Sequence, residues 1–372
     1  MTNILDTKSG KEFLQLSQQE IAEMKSEINS TVNQIRILNP EEAKKKLRDL
    51  RFGTLKNSLL HLASEFGNES DVALMLETAE GDHGIIDARN VDFFTAMHYA
   101  AIGGHYNIVQ LLIEAEADLN PLASEKKRRW TPIHYAAKYG NVKVVESLIF
   151  SGVNKETKTG FGLTPLIIAS EFGKAKLVEF LLSIAVNKDA KTIEENHCMN
   201  ALHYAVVDKS IDVVKLLLMS GIDRNLETTS GFTALDFAAK ADNVTMVSLL
   251  LKWGVGNMDI SLKVANENHA KESAELIKKY IAARKKVFNK KWLNQHESDL
   301  ARILEGFDRS NIHEEKIIIA DDVILNAYGF LSLKYSFGFF SKVTKTFVGF
   351  ASEKTANELP EAINKLMRIV GL

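Results

Sequence analysis

A short segment recurs six times in the sequence, and its spacing constrains the fold more than any other feature. The copies start at Ser58, Thr95, Thr131, Thr164, Asn200 and Thr233. Successive starts therefore lie 37, 36, 33, 36 and 33 residues apart. A near-constant period of this length indicates a repeat array, in which each unit packs only against its neighbours.

Each copy predicts a pair of helices. A Ser, Thr or Asn stands at the start of the first helix, where its side-chain oxygen can accept hydrogen bonds from free N–H groups. Pro132 and Pro165 occupy the first helical position, where a missing N–H costs no hydrogen bond. Gly67, Gly104 and Gly140 follow the first helix and suit a left-handed C-cap. One helix pair cannot bury both of its faces, so we expect the core to form by stacking of the pairs.

These segments resemble the ankyrin repeat, whose signature is Thr-Pro-Leu-His-x-Ala followed by two helices at a period near 33 residues. The resemblance covers about residues 54–255. It implies an all-α solenoid of helix–turn–helix units joined by short hairpin loops, which are called fingers. Ile167 and Asp236 depart from the signature at the histidine position, and Lys209 and Asp242 depart from it at the glycine position.

The limits of the repeats divide the chain into three predicted regions. Residues 1–53 form a helical N-terminal extension that caps the first repeat, and residues 54–282 form six clear repeats and a degenerate capping unit. Residues 283–372 form a helical C-terminal domain. Four apolar residues of the extension have heptad spacing, which also fits a short coiled coil: Leu14, Ile21, Ile28 and Ile35.

The composition excludes several classes of protein. Lys and Arg number 46 against 48 Asp and Glu, so we expect no nucleic-acid binding. Cys198 is the only cysteine, which excludes an internal disulfide and fits a reducing compartment such as the cytoplasm. The first residues do not resemble a signal peptide, and no apolar run is long enough for a transmembrane helix.

The sequence predicts no catalytic residue, metal site or cofactor. Histidines recur at the same position in four repeats, so they lie about one repeat apart rather than around one ion. Ankyrin repeats use this histidine in hydrogen bonds at the base of the hairpin. No phosphate-binding glycine loop, HExxH segment or GxSxG segment occurs. An enzyme with an unrecognised active site in residues 283–372 stays an alternative.

The resemblance to ankyrin repeats implies a protein partner that binds the finger tips and the concave face of the first helices. The residues just before the repeat starts are expected at the finger tips, and five are large and apolar: Phe94, Trp130, Leu163, Met199 and Phe232. Three aromatic residues are expected on the concave face: Phe66, Tyr139 and Phe172. Aromatic residues are frequent interface anchors, although each finger-tip ring could instead pack against the neighbouring finger. The basic finger at residues 126–130 adds charge that would steer an acidic partner.

A basic amphipathic stretch covers residues 276–293. It is typical of a surface helix that joins the repeats to the C-terminal domain, and the alternative is contact with an anionic membrane or an acidic partner. The residues expected to make the contact are Lys285, Lys286, Lys290, Lys291 and Trp292.

As a whole, the chain resembles the ankyrin effectors that intracellular bacteria deliver into host cells by type IV secretion. Degenerate ankyrin units are joined to an unfamiliar helical tail, and residues 352–372 place glutamates and small polar residues before an apolar end. The resemblance implies a host protein as the partner and the host cytoplasm as the compartment. The alternative is an endogenous eukaryotic cytosolic adaptor.

Overall fold

The structure is a computed structural model that describes residues 18–53, 55–123 and 129–287. Seventeen α-helices lie in these ranges, and the described fingers contribute only isolated β-bridges, such as the one between Ala123 and Trp130. The fold class is therefore all-α, as the repeat pattern predicts. The chain divides into two compact units, one that ends at Asn187 and one that begins at Lys188.

Two helices precede the first repeat. They are α1, Gln18–Ile35, and α2, Pro40–Asp49. Ile28 and Ile35, two of the four heptad positions, are buried within the chain, because α1 packs against the first helix of the first repeat. The side chains of Leu14 and Ile21 lie outside the described residues.

Four helix pairs follow in the first unit, with a short helix after the first pair. In chain order they are α3, Leu59–Phe66; α4, Glu69–Ala79; the short α5, His83–Ile86; α6, Ala96–Gly103; α7, Tyr106–Glu114; α8, Pro132–Tyr139; α9, Val142–Phe150; α10, Pro165–Glu171; and α11, Ala175–Ser183. The first helices of the pairs, α3, α6, α8 and α10, pack side by side, and each second helix packs on its own first helix. The core of this unit therefore lies between the two layers of helices.

The second unit holds three further pairs, and a 3₁₀ helix, Glu194–Asn196, lies in the finger before them. In chain order the pairs are α12, Ala201–Val207, with α13, Ile211–Met219; α14, Ala234–Lys240, with α15, Val244–Lys252; and α16, Met258–Glu267, with α17, Lys271–Val287. In the last pair Ala265 and Ile277 are buried, whereas Lys263 and Glu267 face solvent. A polar outer side is what a terminal repeat needs.

None of the described helices is both long enough and apolar enough to cross a lipid bilayer. The region boundaries at residues 53 and 282 stay predictions. Residues 288–372 lie outside the described ranges, so the expected C-terminal domain lies almost wholly outside them.

The first helices end as the sequence predicts. Gly67, Gly104 and Gly140 each follow a first helix with φ between 71° and 78°. Lys209 and Asp242 adopt the same left-handed conformation, at φ 66° and 49°, although a side chain is strained there. The helix-ending turn of the repeat is thus kept in the fifth and sixth repeats without glycine.

Leu202 and Leu235 test the register of the repeats, because both lie at the same repeat position and neither is exposed to solvent. Changing either to Ala should lower the free energy of unfolding by about 2–5 kcal/mol, since a cavity remains where the side chain was. Met219→Ala is the matched control, because Met219 is exposed and should change stability by only about 0.5 kcal/mol. Guanidinium unfolding followed by helical circular dichroism measures all three variants. Equal midpoints for Leu202→Ala, Leu235→Ala and the unsubstituted chain would show that the register is wrong.

Candidate partner-binding site

The starts of the first helices fix the positions of the helices and fingers that carry the candidate site. In the first repeat, the backbone N–H of Ser58 donates a hydrogen bond to Nδ1 of His61 at 3.0 Å. Because Nδ1 accepts, Nε2 carries the proton, and it donates to the carbonyl oxygen of Phe94 in the next finger at 2.8 Å. One side chain therefore closes its own helix start and ties it to the following repeat.

Other repeats keep this arrangement or substitute for it. Nε2 of His134 lies 3.0 Å from the carbonyl oxygen of Thr157 in the finger that follows. Asp236 replaces the histidine in the sixth repeat, where its carboxylate accepts hydrogen bonds from the N–H and the hydroxyl of Thr233, both at 2.7 Å. Ile167 has no polar group for either bond. The hydrogen bonds thus give the motif residue a structural role.

The motif histidines are not gathered around one point. Within the described ranges, no group of three or more His, Cys, Asp or Glu side chains is placed to hold a metal ion. Cys198 is half-buried in the finger before the fifth repeat.

Burial keeps the motif imidazoles neutral. It lowers the pKa of His61, His134 and His203 from 6.5 to about 4, and it lowers the pKa of His98 to about 3. Hydrogen bonds to backbone carbonyls raise these pKa values, but burial has the larger effect because it removes water from the charged form.

These lowered pKa values predict acid sensitivity. Between pH 6.5 and about 4 the unfolded chain binds protons at four imidazoles that stay neutral in the folded chain, so the free energy of unfolding should fall as the pH falls. Each histidine contributes up to about 1.4 kcal/mol per pH unit in this window. Urea unfolding between about pH 7 and pH 4.5 measures the effect. His134→Gln, which does not titrate, should have a shallower pH dependence than the unsubstituted chain.

Glu65 acts in the opposite sense. Burial raises the pKa of its carboxyl from 4.5 to about 8, so the folded chain keeps a proton that the unfolded chain has already lost. Its contribution to the free energy of unfolding therefore increases as the pH falls from 8 to 4.5. Between pH 6.5 and 4.5, this gain in the free energy of unfolding offsets the loss that about one of the four histidines causes. The loss from the other three histidines remains. A stability that does not change between pH 6.5 and 4.5 would contradict the burial of the imidazoles.

The structure corrects the predicted row of finger-tip residues. Phe94, Trp130, Leu163 and Met199 are buried, and Phe232 is half-buried. Trp130 exposes 3% of its surface, because its ring packs 5.1 Å from the ring of Tyr135 on the first helix of its own repeat. Phe94 packs 5.2 Å from the same Tyr135 ring, across the boundary between two repeats. The expected exposure of these side chains is wrong, because the rings of Phe94 and Trp130 pack against Tyr135, one from the preceding repeat and one from the same repeat.

The exposed finger residue lies one position earlier in the chain. Phe93 adopts a left-handed conformation with φ 63° and exposes 40% of its surface, and Val91 beside it is also exposed. Arg129, at the equivalent position in the next finger, has φ 46° and is exposed.

The ends of the first helices in the first unit form a second surface, which we call the first-helix face. Its residues, two from each repeat, are Glu65 and Phe66, Ile102 and Gly103, Lys138 and Tyr139, and Glu171 and Phe172. Tyr139 exposes 45% of its surface, and Phe66 and Phe172 are half-buried. All three predicted concave residues therefore remain accessible.

Lys138 organises the centre of the first-helix face. Lys138 is buried, and its Nζ lies 5.4 Å from the ring centroid of Tyr139 and 5.3 Å from that of Phe172. A cation above an aromatic ring is attracted by the negative charge density on the ring face. The rings of the third and fourth repeats are thus held around one ammonium group.

The second repeat contributes a backbone surface rather than a ring. A Cβ atom on Gly103 would stand 2.3 Å from Nε2 of His105, so the imidazole occupies the space that a side chain would need. The same Nε2 donates to the carbonyl oxygen of Glu65 at 3.0 Å. Gly103 itself is exposed, and it carries no side chain between the rings of the first and third repeats.

The predicted basic contacts fall mainly outside the described residues. Lys285 and Lys286 lie on α17, but their side chains are not among those described. Lys290, Lys291 and Trp292 lie beyond residue 287, and residues 124–128 of the basic finger also lie outside the described ranges. Membrane or acidic-partner contact by these residues stays a prediction.

Comparison with known proteins agrees with this geometry. A family model described as ankyrin repeats, three copies, matches residues 26–123, 60–159, 133–228 and 193–264. These matches together span residues 26–264 of the 372, well over half of the chain. No curated protein matches the sequence. The chain belongs to the ankyrin repeat family.

Proposed function

We propose that the protein acts by recognising another protein through the first-helix face of its first unit. Ankyrin repeats indicate protein–protein interaction. The finer assignment, to one face of one unit, is supported by the accessible aromatic residues described above. The proposal assigns no catalytic step to the chain.

One observation carries the proposal: the ring of Tyr139 is exposed although it lies beside a buried lysine and a second aromatic residue. Lys138 holds both Tyr139 and Phe172 in place, so binding a partner would order few additional side chains. A rigid aromatic anchor with neighbours that exclude water is typical of residues that dominate binding energy. Trp130 and Phe94 fit this description poorly, because both are already buried within the chain.

Tyr139→Ala should weaken partner binding at least about 10-fold, which corresponds to about 1.4 kcal/mol, a modest value for an aromatic anchor. The protein enriched by the intact chain from a cell lysate, once purified, is titrated against each variant. Phe150→Ala is the matched control: Phe150 exposes 75% of its surface but lies on a second helix, and its loss should leave affinity unchanged. Helical circular dichroism should be the same for both variants. If Tyr139→Ala binds as tightly as Phe150→Ala, the partner site lies elsewhere.

We further propose that the protein is a bacterial effector delivered into host cells, so that the partner is a host protein. The support is in the sequence: ankyrin units are followed by residues 352–372, with glutamates and small polar residues before an apolar end. Deleting about the last twenty residues should abolish translocation into host cells, measured with a reporter fused to the N-terminus. Normal translocation of the deleted chain would place the export signal outside these residues, and no translocation of the intact chain would favour the endogenous adaptor.

A further inference from the structure

The fingers that precede the six repeats share one backbone turn. In each finger, the residue two positions before the repeat start has a left-handed backbone, with φ between 46° and 78°. The carbonyl of the next residue accepts a hydrogen bond from across the finger: at 2.8 Å, the N–H of Phe52 donates to Asn57 and the N–H of Ala123 donates to Trp130. The residues at the left-handed position are Lys56, Phe93, Arg129, Gly162, Cys198 and Gly231.

This turn suits glycine, yet three neighbouring fingers of the first unit have larger residues there. Glycine adopts a left-handed backbone without strain, whereas a residue with a side chain is strained in it. The first three fingers nevertheless carry Lys56, Phe93 and Arg129, and all three residues are exposed to solvent. Packing does not account for residues that strain the backbone and remain exposed. Strain of this kind is found at binding sites, where function keeps it.

Stacking of the repeats brings these three residues into one row, which we call the finger edge. The first helices α3 and α6 pack side by side, as do α6 and α8. The N–H of Val91 donates to the carbonyl oxygen of Leu55 at 2.9 Å, which joins the first finger to the second. Because the turn is the same in each finger, the three side chains leave the row in the same direction. The finger edge is therefore an aromatic ring between two cations.

The other exposed charge beside the finger edge is also positive. Arg89 is exposed in the second finger, and within the described ranges Lys56, Arg89 and Arg129 take part in no ion pair. Asp92 is the one acid among residues 89–94, and its Oδ2 atom is buried rather than turned to solvent. Cations on both sides of an exposed ring are complementary to carboxylates on both sides of an apolar side chain.

We infer that the finger edge binds an acidic, extended segment of a protein. The apolar side chain of this segment packs on the ring of Phe93, and a carboxylate on each side pairs with Lys56 and with Arg129. The guanidinium of Arg129 can hold a carboxylate with two hydrogen bonds. The formal charge of −2 on the chain argues against a nucleic acid as the occupant.

This inference goes beyond the proposed function, because it assigns a second surface. The finger edge lies at the starts of the first helices, and the first-helix face lies at their ends. A first helix of eight residues, such as α6, separates the two surfaces by about 12 Å.

The spacing of the repeats sets the spacing of the acids in the bound segment. Neighbouring first helices pack about 8–10 Å apart, so successive residues of the finger edge are about as far apart. An extended peptide covers about 3.3 Å per residue, so about three residues span one repeat. The segment should therefore carry an acid three positions before its apolar residue and another three positions after it.

Peptide display tests the inference with random peptides of about twelve residues, which are longer than the finger edge. Peptides that bind the full chain but not Phe93→Gly are kept, and they should share this spacing of acids around an apolar residue. Arg129→Gly should bind the tightest of them at least about 5-fold more weakly, because one charge-assisted pair is lost. Lys209→Gly is the matched control, since it removes an exposed cation from a left-handed residue, φ 66°, outside the finger edge. Its affinity should equal that of the intact chain.

Unfolding separates a binding role of these side chains from a structural one. Since the turn suits glycine, Phe93→Gly and Arg129→Gly should unfold at the same guanidinium concentration as the intact chain or at a higher one. A lower midpoint for either variant would assign its side chain to folding and overturn the inference.

Further outcomes would overturn the inference through binding alone. They are that no peptide is kept, that the kept peptides lack acids on both sides of an apolar residue, or that a single-stranded DNA oligonucleotide binds the chain more tightly than they do. Tyr139→Ala should bind the kept peptides as tightly as the intact chain, because Tyr139 lies on the first-helix face. A loss of affinity in Tyr139→Ala would place the peptides on that face instead, so the finger edge and the proposed function can fail separately.

Discussion

Hydrogen bonds of the motif histidine tie the first and third repeats to the fingers that follow them. His61 accepts from the N–H of its own cap and donates to the carbonyl of Phe94 in the next finger. That second bond fixes the finger against the preceding repeat, and Phe94 is buried in that finger. The imidazole must be neutral to make both bonds, so the stability of the packing between these repeats depends on pH. Asp236 closes its own helix start and also accepts a hydrogen bond from the hydroxyl of Ser261 in the next helix pair, so a carboxylate can take over both roles of the imidazole.

The sequence predicts the fold well because its signals are local. Caps, proline at the first helical position and glycine after the helix each act within a few residues, and the structure confirms them in Thr131, Pro132 and Gly140. The exposure of the finger-tip side chains was predicted wrongly, because the direction of a side chain in a short hairpin depends on a left-handed residue such as Phe93. The burial of Glu65 could not be predicted at all, since desolvation comes from neighbours that are distant in the chain.

The stacking of the helices also explains why the first-helix face is available for binding. The inward-facing residues of each repeat pack against neighbouring helices, whereas the last turn of each first helix remains accessible to solvent. In the first unit these last turns hold two glutamates, three aromatic rings and Lys138, whose ammonium group contacts two of the rings. The residues that the repeats share thus supply rigidity, and the accessible positions of the first-helix face can vary without disturbing the packing.

Photochemical crosslinking tests most directly whether the first-helix face is where a partner binds. A photoreactive phenylalanine analogue is placed in the full chain at the position of Tyr139 in one variant and at the position of Phe150 in another, and both are irradiated in cells. The account predicts a discrete crosslinked protein from position 139 and none from position 150. Equal crosslinking from both positions, or crosslinking from position 150 alone, would contradict it.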